Sequence, residues 1–163
     1  MKIKIFIIAC IVLAQVSCSA GMHKAENATP EVKKFFGINI LNIIDGAESA
    51  SSFKVKPEKM KVLIGKNLYG YPVIAKGPAL SDSQLSELKD ILLNEDTYDF
   101  KWAKKSFVFP DYAIVLKKGK EEVTVFVDFY RKELLFVYNG QELVEDFDNA
   151  EKQVRKLVDD IFR

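Results

Sequence analysis

The stretch YAIVLKKGKEEVTVFVDFYRKELLFVYNGQELV, residues 112–144, decides the fold. Tyr112, Ile114 and Leu116 recur every second position, the spacing that puts side chains on one face of a strand. Lys117-Lys118-Gly119-Lys120 then turns the chain, and Val123, Val125, Val127 and Phe129 repeat the pattern. Leu134, Phe136 and Tyr138 supply a third strand. Asn139-Gly140 is a strong hairpin signal, because both central residues of the favoured turn need positive φ. A short fourth strand is expected over 141–144. Four strands joined by tight turns make an antiparallel meander, and Pro110 marks its entry, since proline is tolerated at the start or edge of a sheet.

Helical signals flank this meander. Ser81 and Gln84 form a capping box, Leu80 and Leu85 occupy staple positions, and Leu85, Leu88, Ile91 and Leu92 line one face to about Asn94. Asp148 and Glu151 match the same capping pattern ahead of a stripe of Ala150, Val154, Leu157, Val158 and Ile161, predicting a helix over 148–162. Val32, Phe35, Phe36, Ile40, Ile43 and Ile44 fall mostly at helical spacing, although Gly37 interrupts them and the second half is open to a strand. Phe53-Lys54-Val55-Lys56 alternates as a strand that Pro57 ends. Further strands are expected over 60–64 and 71–76, separated by turns at Gly65 and Gly70. The pattern predicts an α+β fold: an antiparallel β-meander packed on one face by two or three helices, in a single domain over 31–163.

At 163 residues, 48% of them hydrophobic, the chain holds material for one such domain. The formal charge of +1 includes Lys2 and Lys4, so the rest is near neutral and advertises no basic face for nucleic acid. Residues 1–20 read as a signal peptide, with a basic start, an apolar run from Ile5 to Ala14, and the small residues Ser17-Cys18-Ser19-Ala20. The run falls short of the roughly 20 apolar residues that a spanning helix needs. Cleavage after Ala20 is one route. The other makes Cys18 the lipidated first residue: Ser17-Cys18 resembles a bacterial lipoprotein signal, departing from it at Gln15. Residues 21–30 then form a flexible tether. Both routes export the chain, to a lipid-anchored place in the bacterial envelope or to the periplasm or beyond.

Residues 53–140 resemble a family of uncharacterised, mostly exported or lipid-anchored bacterial proteins. Their pattern sets a cysteine four residues before a proline, an alanine three residues after it, and a Cys-Phe-x-Cys segment at the end of the second following strand. Pro110 and Ala113 match, while the cysteine positions hold Ser106, Asp128 and Arg131. The resemblance implies an exported α+β domain and carries no settled activity. It also implies that Ser106, Asp128 and Arg131 cluster, with Asp128 and Arg131 available as an ion pair.

Reactive chemistry is sparse. The only cysteines are Cys10 and Cys18 and the only histidine is His23, so the body lacks a zinc ligand set and any His-dependent triad. Gly65-Lys66 lacks the upstream glycine of a phosphate loop. No catalytic, cofactor or metal residue is assigned. Carboxylates group at Glu95, Asp96 and Asp99 and at Glu142, Glu145, Asp146 and Asp148, where turns and helix starts account for them. Aromatics crowd the chain from Phe100 to Tyr138, and Trp102, Phe107, Phe109 and Tyr112 are the expected interaction surface. The expectation is a non-enzymatic, envelope-associated protein that binds an envelope protein or ligand, touching the membrane only through a lipid on Cys18. The alternatives are an acid-dependent hydrolase that pairs Asp128 with a second carboxylate, and an envelope inhibitor or immunity protein.

Overall fold

The computed structural model describes residues 24–61, 65–101 and 107–163. Helices α1 (Lys24–Asn27) and α2 (Pro30–Asp45) precede strand β1 (Ser49–Val55). Strands β2 (Asn67–Leu68) and β3 (Tyr71–Ala79), helix α3 (Asp82–Leu93) and a 3-10 turn over Glu95–Thr97 follow. Strands β4 (Tyr112–Lys118), β5 (Glu121–Asp128), β6 (Glu133–Tyr138) and β7 (Gln141–Asp146) lead to a 3-10 turn at Asp148–Ala150 and helix α4 (Glu151–Ile161). The strands form one antiparallel sheet in the order β2-β3-β1-β4-β5-β6-β7. The meander is therefore β4 to β7, extended on its other side by β1 and its partner β3. Asn139 (φ 49) and Gly140 (φ 79) make the expected turn, and Tyr69 (φ 49) with Gly70 (φ 94) makes its counterpart between β2 and β3. The strand expected over 60–64 lies partly outside the described residues; Met60 and Lys61 are not in a strand.

Local chemistry explains most helix ends. Ser81 accepts from the Gln84 N–H while the Gln84 side chain accepts from the Ser81 N–H, completing the capping box of α3. The whole of α2 is helical on either side of Gly37, whose φ of 67 and ψ of 167 break it into two pieces that each keep a buried stripe. The strand alternative for its second half does not hold: Ile40, Leu41, Ile43 and Ile44 are helical and buried. Lys118 Nζ donates to the Asn42 carbonyl at 3.1 Å, complementing the negative end of α2. Before α2, where a tether was expected, α1 forms and Ala28 is buried. Asp148 does not cap α4. Its Oδ1 holds Lys132 Nζ at 2.9 Å and its N–H donates to Asp146 Oδ1, so a 3-10 turn starts the helix instead.

The helices pack on one face of the sheet, as the pattern required. Phe36, Ile40 and Ile44 of α2, Leu88 and Leu92 of α3, and Val154, Leu157 and Val158 of α4 meet Ile114, Leu116, Val125, Leu134 and Phe136. The other face is not left to water. The sheet curls, and Phe53, Val55, Tyr71, Ala113, Val115, Phe126, Leu135 and Val137 form a second apolar cluster closed by Val108. Strands buried on both faces carry near-continuous apolar runs, and β4 to β6 do so. Among the described residues no helix is long and apolar enough to cross a membrane.

Candidate interaction surface

Asp128 closes β5 and is fully buried. A bare carboxylate there would be costly, so every oxygen finds donors. Oδ1 accepts from the N–H groups of Tyr130 (3.0 Å) and Arg131 (2.9 Å), and Oδ2 accepts from the Phe109 N–H (2.8 Å). The Arg131 guanidinium completes the set at 3.5 Å from Oδ2. One side chain thus ties the β5–β6 turn to the segment that enters β4. Two further contacts pin that segment: the Tyr71 hydroxyl donates to the Val108 carbonyl at 3.0 Å, and the Asp111 N–H donates to Val127 at 3.1 Å.

Fixing the backbone in this way turns several large side chains outward. Phe107 is 85% exposed and Tyr130 88% exposed. Between them the Arg131 guanidinium lies 4.2 Å from the Phe109 ring centre and 5.6 Å from that of Tyr130. Beside this patch runs a groove of about 550 Å³, lined by Pro57, Glu58, Lys59, Tyr71, Phe107 to Phe109, Leu135, Glu142 and Val144. Lys59 and Glu142 pair across its rim at 2.5 Å. Burial, then the nearby charges of Glu142 and Asp128, push the Tyr71 phenol up to about 12. Burial and, next, the charge of Asp128 raise the Asp111 carboxyl above its ordinary value.

Of the residues expected to cluster, Asp128 and Arg131 meet as an ion pair, while Ser106 lies outside the described residues. Of the expected aromatic surface, Phe107 and Phe109 line the groove, and Trp102 is outside the described residues. Tyr112 belongs to the opposite, helical side, with its ring 4.9 Å from Phe162 and 6.0 Å from Phe129. Glu142 reaches the groove rim; Asp148 serves Lys132, and Asp99 accepts from the Lys101 N–H at 3.2 Å. Among the described residues no group of three or more His, Cys, Asp or Glu is placed to hold a metal ion. Tyr71 and Lys59 escaped sequence reasoning, and Tyr130 figured only among the crowded aromatics of Phe100 to Tyr138. For Tyr130 a signal existed: an aspartate at a strand end commonly folds the next residues into a turn, exposing the second of them.

Compared with known protein families, with curated proteins and with solved structures, the chain matches none.

Proposed function

We propose that the chain is an exported, envelope-associated binding protein whose contact surface is the patch of Phe107, Phe109, Tyr130 and Arg131. One observation carries the reading: buried Asp128 holds two separate loops in a fixed relation and leaves Phe107 and Tyr130 exposed at their tips, with Arg131 and Phe109 half-buried beside them. Such side chains dominate binding energy at protein interfaces, and fixing them in advance lowers the ordering cost of association. The reading of export rests on the leader sequence of residues 1–20. Asp128 itself is fully buried, and its oxygens face three backbone N–H groups and the Arg131 guanidinium.

The test is cross-linked capture from the native envelope with the full chain, comparing wild type, Phe107→Ser/Tyr130→Ser and Ile38→Ser. Ile38 is also exposed but stands on α2, away from the patch. A partner captured by wild type and Ile38→Ser but lost from the double variant, at unchanged melting temperature, supports the reading. Identical capture by all three overturns it.

A further inference from the structure

The near-neutral total charge conceals a segregation. Residues 49–79, which carry β1, β2 and β3, hold six lysines and a single acid, Glu58, a formal +5. The remainder of residues 21–163 holds 16 basic and 22 acidic side chains, a formal −6. The structure leaves this excess uncompensated. Lys59 pairs with Glu142, but Lys54, Lys56, Lys61, Lys66 and Lys76 have no acidic partner among the described residues. Elsewhere some lysines are matched, as in Lys117 with Glu122 and Lys132 with Asp148 and Glu151, and ones unmatched among the described residues, such as Lys34, Lys120 and Lys152, sit within the acidic remainder.

The geometry points to a docking face for an anionic lipid surface on this β1–β3 lobe. Lys66 Nζ stands 4.4 Å from the Phe53 ring centre, and Lys76 is the register partner of Phe53, so both gather on one side of the lobe. In the same lobe Met60, Tyr69 and Ile74 are exposed. Lysines with apolar neighbours match a bilayer interface, where headgroup phosphates meet the ammonium groups and the acyl boundary accepts the apolar side chains. A nucleic acid would satisfy the lysines and leave Met60 and Ile74 in water. The negative remainder of the molecule is repelled by the same membrane, which fixes the orientation. This surface stands on different residues from the aromatic patch and does not depend on it. Residues 62–64 form no part of it.

The experiment is flotation of the full-length Cys18→Ser chain, which carries no acyl group, with vesicles of phosphatidylcholine alone or mixed with phosphatidylglycerol. Each lysine near an anionic bilayer contributes about a five-fold gain in binding, so Lys61→Gln/Lys66→Gln/Lys76→Gln loses on the order of 100-fold on the anionic vesicles. Binding to phosphatidylcholine is unchanged by the substitutions, as is the melting temperature. Met60→Ser/Ile74→Ser weakens anionic binding as well. Lys34→Gln/Lys120→Gln/Lys152→Gln, equal in charge but outside the lobe, retains it. Equal losses in the two triple variants, no loss in the first, or a preference of the lobe for a short oligonucleotide over the vesicles would each overturn the proposal. Because the leader is identical in every variant, its own membrane affinity cancels from the comparison.

Discussion

At the scale of single residues, Asp128 carries the most. Asp128→Ala strands three N–H groups while Arg131 turns to water, and the expected loss is on the order of 3 kcal/mol of unfolding free energy in a urea titration. Tyr71 offers a pH-resolved counterpart. Losing its hydrogen bond to Val108 in Tyr71→Phe costs about 1 kcal/mol at neutral pH. The folded phenol sits at about 12 against an ordinary 10.0, so the unfolded chain releases its proton first. Stability from this group is therefore complete below pH 10 and lost as the pH rises toward 12. The roughly 1 kcal/mol advantage of wild type over Tyr71→Phe should shrink and then reverse over that window, since about 1.4 kcal/mol is lost per pH unit; a constant difference would contradict it. The Asp128–Arg131 pair was expected only through the resemblance, whose cysteine positions these two residues occupy. The Phe109 N–H as a third partner was not, since it lies 19 positions away and only the fold brings it near.

At the scale of elements, β1 shows where sequence patterns mislead. Ser49, Ala50, Ser51 and Ser52 look like a loop, yet they pair with β4 in the middle of the sheet. Ser52 lies where Phe162, just beyond α4, packs down beside Gly77. A Cβ added to Gly77 on β3 would collide with Ser52 Oγ and come within 2.6 Å of the Phe162 ring. Gly77→Ala should therefore cost about 1–3 kcal/mol, and less in a Phe162→Ala background, as thermal melts of the four chains would show. Capping gave mixed guidance for a physical reason. At Ser81 the hydroxyl also meets the neutral Ser83 hydroxyl at 3.0 Å and still caps, whereas at Asp148 the ammonium of Lys132 takes the carboxylate and a 3-10 turn starts the helix.

At the scale of the whole molecule, the sheet separates two cores. The period of two in β4 to β6 revealed the helical face, but the intervening Ala113, Val115, Phe126, Leu135 and Val137 are apolar too. Their partners, Tyr71 and Val108, come from segments whose approach depends on the curl of the sheet, which no local pattern encodes. Phe126→Ala, in the second cluster, should cost about 3–5 kcal/mol, as much as Phe136→Ala beneath the helices, when both are measured by denaturant unfolding. A small effect at Phe126 would mean that the second cluster contributes little.

The anchoring of two loops by one carboxylate also sets a clock. Amides of Phe109, Tyr130 and Arg131 lie outside every strand, but each is bonded to an oxygen that is released only when β5 gives way. In deuterium exchange they should therefore swap their hydrogens at the slow rate of the neighbouring ladder, not within the seconds usual for a turn. A visiting molecule would meet contours that outlast its stay.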